Sequence, residues 1–159
     1  MADYTWQLGI DWNAVETAGV SYLRGGLLEG SSPSPGTNPV HNGDNITFKI
    51  FDVNSSTEDL GRRVTAIGSF VILTTAAVTG QVSCNSLSSL QPAIGLPDLS
   101  QPSLLSLFGT AHCCWSLAPV QVSAESGRFL LTLQVQAVGP NGSVRIFRHD
   151  PEMAVGPNG

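Results

Sequence analysis

Residues 129–147 read Phe-Leu-Leu-Thr-Leu-Gln-Val-Gln-Ala-Val-Gly-Pro-Asn-Gly-Ser-Val-Arg-Ile-Phe. Phe129, Leu131, Leu133, Val135 and Ala137 recur with a period of two, and Thr132, Gln134 and Gln136 stand between them. That alternation belongs to a strand with one face in a core and the other in water. Gly139-Pro140-Asn141-Gly142 follows, a cluster that cannot continue a ladder and accepts positive φ. The chain is therefore expected to reverse there into Ser143–Phe147 and close a β-hairpin.

The same reading extends upstream. Ile46, Phe48 and Ile50 alternate with Asn45, Thr47 and Lys49 after the turn-forming Asn42-Gly43-Asp44. Phe51 and Val53 then break the parity, which predicts either burial of both faces or a β-bulge at Ile50-Phe51. Trp6-Gln7-Leu8-Gly9-Ile10 reads as a half-buried strand, and Asp11–Ala18 as two helical turns capped by Asp11, with Val15 and Ala18 inward. Arg63–Val78 holds enough β-branched residues for two strands, 64–71 and 72–78, with Gly68 marking a bend. Residues 25–44 and 85–103 are rich in Pro, Ser and Gly and read as long loops, and 156–159 as a frayed tail. The expectation is a single all-β domain over 1–159, an antiparallel β-sandwich of about seven to nine strands with at most one short helix.

Composition narrows the function. Only 12% of residues are charged and the formal net charge is −5, so a nucleic-acid backbone or an anionic membrane surface would be repelled. No apolar run approaches the ~20 residues of a membrane-crossing helix. Met1–Trp6 lacks the basic and apolar regions of a secretory signal, which leads to the expectation of a cytoplasmic protein. The odd set Cys84, Cys113 and Cys114 reads as reduced, buried thiols.

Three short blocks resemble a bacterial family of small soluble proteins first named for intracellular inclusion bodies, the PixA/AidA-like family. They are Leu8-Gly9-Ile10-Asp11, Gly43-Asp44-Asn45-Ile46-Thr47-Phe48-Lys49-Ile50-Phe51, and Phe147-Arg148-His149-Asp150-Pro151-Glu152-Met153-Ala154-Val155. The segment from Arg62 to Gln121 has no counterpart in that family's pattern. The resemblance implies a cytoplasmic β-sandwich that forms oligomers or is stored in inclusions, and brings no catalytic residues with it.

Candidate sites are few. His112-Cys113-Cys114-Trp115 could activate a thiolate if the imidazole met a sulfur, but neighbours on a strand face opposite ways and the surrounding residues read as core. Asp11, Asp44, Asp52, Asp59 and Asp150 stand at strand ends and read as caps and turn closures, so neither a metal nor any other cofactor is expected. The rings of Trp12 and Tyr22, with Asp44 closing the 25–44 loop, could offer a stacking platform for a carbohydrate. The function expected first is a non-enzymatic protein that self-associates into a homo-oligomer, because sparse charge leaves two sheets thinly covered. A carbohydrate-binding module comes second and a thiol-dependent enzyme third.

Overall fold

The computed structural model describes residues 1–29, 32–33, 40–55, 63–76, 103–107, 110–116, 119–122 and 127–156. They form an all-β, sandwich-like fold of two open sheets. The strands are β1 (Asp3–Ile10), β2 (Val20–Tyr22), β3 (Arg24–Glu29), β4 (Ser32–Pro33), β5 (Asn45–Asp52), β6 (Ala66–Ala76), β7 (Ser103–Leu107), β8 (Thr110–Ser116), β9 (Val120–Gln121), β10 (Gly127–Val138), β11 (Val144–His149) and β12 (Glu152–Val155). The first sheet has seven strands, in the order β4-β3-β1-β5-β8-β7 with β9 also on β5. The second has five, β10 carrying β6 on one edge and β11 and β12 on the other, with β2 beyond β11.

Alternation builds the interface between them. Tyr4, Trp6, Leu8 and Ile10 of β1 and Ile46, Phe48 and Ile50 of β5 turn inward from the first sheet. Ile67, Phe70 and Ile72 of β6, Leu131, Leu133, Val135 and Ala137 of β10, and Phe147 of β11 turn inward from the second. The rings of Phe48 and Phe70 meet across the layers at 5.3 Å, and these residues belong to one continuous core. Burial of a side chain this size stabilises by roughly 1.5–3 kcal/mol, which is what holds the layers together.

The hairpin of residues 129–147 forms as expected. β10 pairs antiparallel with β11 from Leu133↔His149 to Val138↔Val144. Its one 3-10 turn, Pro140–Gly142, reverses the chain through Asn141 at φ 59° and Gly142 at φ 73°. Both sheets are nevertheless mixed: β1 lies parallel to β5 and β11 parallel to β2, while the other ladders are antiparallel. A tight turn imposes antiparallel pairing, whereas these two pairs are joined by long stretches of chain that leave direction free. The twelve strands among the described residues exceed the expected seven to nine because short pieces such as β4 and β9, of two residues each, are added to the longer ones.

Other local expectations are corrected. Asp11–Ala18 is not helical: with Val15 84% exposed it has no apolar stripe, and Ala18 and Gly19, both at positive φ, make a tight reversal bridged by Thr17 and Val20. Residues 25–44 are not one loop. Arg24–Glu29 pairs with β1, and Ser32–Pro33 forms the edge strand, where a proline with no N–H to give is tolerated. The 85–103 segment lies outside the described residues except for Ser103, which opens β7. Within the expected tail, Gly156 is buried and donates its N–H to the Val40 carbonyl at 2.7 Å; residues 157–159 lie outside the described set.

Two irregularities have simple causes. At Ile50-Phe51 there is no bulge: Phe51 is half-buried on the outer face and Asp52 is wholly buried on the inner one, so both faces of β5 are covered. Residues 66–76 are a single strand whose ladder with β10 slips between Gln136↔Ser69 and Ala137↔Ile67. Gly68 is the extra residue. It sits beside Ser69 over Gln136 on the outer face, so Ile67 and Phe70, three apart, both point inward.

Candidate functional site

β1 carries Trp12 just past its C-terminal end, where Trp12 N–H donates to Asn54 Oδ1 at 3.0 Å. The indole packs on Phe147 with ring centroids 6.1 Å apart and covers Gly139, where any Cβ would collide with the ring. Over both rings lies the Arg145 guanidinium, 5.5 Å from Trp12 and 5.2 Å from Phe147. It donates to the Trp12 carbonyl, to the Ala14 carbonyl at 2.7 Å and to Ser21 Oγ at 2.6 Å, with the Glu16 carboxylate 3.8 Å away. Arg145 thus fastens the connection between β1 and β2 to the hairpin of the opposite sheet. Its planar fork and delocalised charge suit both the carbonyls and the ring faces. The sequence signal was available: Arg145 shares the inward parity of Phe147.

Tyr22 stands elsewhere. On β2 its register partner is Arg148, whereas Ser21, the partner of Phe147, points inward. Tyr22 is therefore on the outer face, 72% exposed, while Trp12 lies on the inner side of the same sheet. Asp44 is farther still, at the N-terminal end of β5. There its buried carboxylate accepts Ala2 N–H at 2.7 Å and His41 N–H at 2.8 Å, with His41 Nδ1 at 3.7 Å. Ala2 precedes β1 and Trp12 follows it, so the length of β1, roughly 26 Å at ~3.3 Å per residue, separates Asp44 from Trp12. The three residues expected to form a carbohydrate platform are not brought together.

Of the carboxylates read as caps and turn closures, Asp11, Asp44 and Asp52 accept backbone N–H groups, Asp150 is held by side chains instead, and Asp59 lies outside the described residues. Asp52 is fully buried; its Oδ1 accepts Asn54 N–H at 2.9 Å and its Oδ2 accepts Arg63 and Val64 N–H at 2.8 and 2.9 Å. Beside it Ser55 Oγ donates to the Asp52 carbonyl and accepts Cys113 N–H, each at 2.9 Å, joining the end of β5 to the middle of β8. Asp11 Oδ1 accepts from Asn13 N–H at 3.0 Å.

On β8, Trp115 lies opposite Ile50 and faces the core, whereas Cys114 lies opposite Phe51. His112 shares the outer face with Cys114, as strand alternation requires, and its ring meets Phe51 at 5.7 Å. Its Nδ1 is buried with no hydrogen-bond partner among the described residues, so that nitrogen activates neither thiol. Cys114 is buried, Cys113 is only partly so, and Cys84 lies outside the described residues. Among the described residues no three His, Cys, Asp or Glu side chains gather as metal ligands, and no helix is long and apolar enough to cross a membrane.

Two ionisable groups of the last hairpin, His149 and Asp150, are perturbed by burial and by their neighbours. Burial outweighs the attraction of Asp150 and holds the His149 imidazole below its usual range. For Asp150 itself, the raising effect of burial is overcome by hydrogen bonds from Arg148 Nε at 2.8 Å and Thr132 Oγ1 at 2.9 Å and by the nearby charges, leaving the carboxyl below its usual range.

Compared with known protein families, curated proteins and solved structures, the chain matches none.

Proposed function

We propose that this chain is a non-enzymatic structural or interaction protein that works by self-association. The observation that carries the reading is β6. It is eleven residues long, contains no charged side chain, and forms one edge of the second sheet; its far side has no partner strand among the described residues. Long uncharged edges are templates for further strand pairing, and proteins that must stay apart interrupt them with Lys, Pro or shortened strands. With only 12% charged residues the remaining surface opposes association weakly. The resemblance to inclusion-body proteins points the same way.

The test is sedimentation of the full chain over a micromolar dilution series. Self-association gives a mass above that of one chain which falls on dilution; a single-chain mass throughout would remove the reading.

A further inference from the structure

We infer that two copies of this chain join antiparallel along β6 about a two-fold axis, so that the assembly is a closed dimer rather than an open chain of copies. This deepens the self-association reading and rests on it.

The direction of each backbone group of β6 follows from the bonds of β10. Thr65 N–H donates to the Val138 carbonyl at 2.8 Å, so Val138 faces β6. Leu131 N–H donates to Pro151 and Gly139 N–H to Ser143, at 2.9 and 2.7 Å, so odd-numbered β10 residues face β12 and β11. Even-numbered β10 residues therefore face β6, and Leu130↔Thr75, Thr132↔Leu73 and Gln134↔Val71 are its reciprocally bonded pairs. Val71, Leu73 and Thr75 spend their N–H and C=O on β10. Phe70, Ile72, Thr74 and Ala76 aim theirs at the open edge.

A second copy satisfies all four at once. With Leu73 on the axis, Phe70 falls opposite the partner's Ala76 and Ile72 opposite the partner's Thr74, each pair exchanging two hydrogen bonds. Because β6 has no charge, apposing it to itself sets no like charges against each other. The contact is isologous, so it consumes the β6 edge of both copies and closes. Continuation elsewhere would rest on shorter edges: β7 has five residues, β12 four beside the Val40 bridge, β2 three, and β4 two with Pro33 among them. The bulge at Gly68 bends the strand, so the pairing between copies is confined to residues 70–76 although the ladder with β10 continues past it.

Proline placement and amide exchange on the full chain test this. Thr74→Pro deletes an outward N–H; it should halve the sedimenting mass at micromolar protein while the β-type far-ultraviolet spectrum persists. Thr75→Pro deletes an N–H given to β10 and should lose that spectrum. In the unmodified chain, exchange read by NMR should show the Phe70, Ile72, Thr74 and Ala76 amides losing protection about tenfold or more on dilution below the dimer range, with Val71, Leu73 and Thr75 unchanged. A folded Thr74→Pro that keeps the two-chain mass would overturn β6 pairing and leave self-association standing. A single-chain mass for the unmodified protein would overturn both. Protection of the four outward amides at every dilution would mean that the edge is covered within one chain, and overturns the inference. If Thr74→Pro does not fold, the amide pattern alone decides.

Discussion

Replacing Arg145 by alanine removes the tie between the two sheets at the Trp12 end, and its cost can be worked from the contacts. The guanidinium gives hydrogen bonds to the Trp12 and Ala14 carbonyls and to Ser21 Oγ, and Ser21 is fully buried. A hydrogen bond to a charged group contributes ~1.5–3 kcal/mol net, and leaving a buried acceptor unpaired costs ~1–3 kcal/mol. Stacking on Trp12 and Phe147 adds ~0.5–2 kcal/mol. These contributions share one group and cannot be summed in full, because water reaches part of the site once the side chain is gone; a loss of about 4 kcal/mol is the working figure. For a chain this size each kcal/mol moves Tm by ~2–4 °C, so the midpoint should fall by roughly 8–16 °C. Arg145→Lys keeps the charge but not the planar fork and should recover no more than about half. Glu16→Gln should change stability by less than ~1 kcal/mol, since that carboxylate is 52% exposed and screened. The assay is guanidinium unfolding followed by tryptophan fluorescence and circular dichroism in parallel. A loss below about 1 kcal/mol for Arg145→Ala would refute the clamp, because it would place the bonds to the guanidinium on a par with those water makes.

Three further outcomes follow from other buried contacts. Gly139→Ala drives a methyl into the Trp12 ring, which Phe147 and Arg145 hold in place; overpacking should cost ~1–3 kcal/mol and shift Trp12 emission, and an unchanged unfolding midpoint would contradict the contact. Asp52→Asn puts an NH2 group where a carboxylate oxygen now accepts backbone N–H groups of Asn54, Arg63 and Val64. The expected loss is ~2–3 kcal/mol, read by chemical denaturation. His149 has its folded pKa lowered by burial, so the unfolded chain binds that proton more readily. Its contribution is full above the ordinary histidine range and is lost as pH falls through that range towards the lowered value. Asp150, also lowered, acts in the same direction but nearer the carboxylate range. His149→Gln should flatten the stability profile between pH 7.5 and pH 5.5, about one unit either side of the ordinary histidine value; an unchanged slope would assign it to other groups.

Alternation made the centre of the fold legible. From Leu131 to Ala137 and from Ile46 to Ile50 the inward residues could be named from the sequence, because a period of two has only one reading when a turn bounds it. At β6 the period fails locally: Ile67 and Phe70 both face inward three residues apart because Gly68 is a bulge within one strand, whereas the count of β-branched residues points to two strands with a bend at Gly68. The Asp11–Ala18 helix was read from a cap and two apolar residues, too few to make a stripe. Ala18-Gly19 was the better signal, since only a reversal needs both residues at positive φ. Pairing direction was not legible, because it is decided by which strand each long connection returns to. The same holds for the site. Trp12 and Tyr22 are ten positions apart in sequence, yet strand parity sends them to opposite sides of the second sheet.

The buried polar groups share one kind of task. Asp44 holds the entry to β1 against the turn before β5; Asp52 and Ser55 hold the exit of β5 to the start of the next sheet crossing and to β8; Arg145 holds the exit of β1 to the hairpin. Each stands where the chain changes layer, and each makes its hydrogen bonds chiefly with backbone groups, which must be satisfied once the crossing is taken out of water. Groups so engaged are held in one geometry by their own chain, and binding a further ligand through them would first require breaking those bonds. The outward backbone of β6 is different in kind: its donors and acceptors are regularly spaced, already extended, and committed to no other described strand. Pairing there orders little that is not ordered already, so the conformational part of the entropy cost of association is small and the loss of rigid-body freedom is what remains to be offset. That asymmetry, rather than any single side chain, is why the proposed activity of this fold lies along its edge.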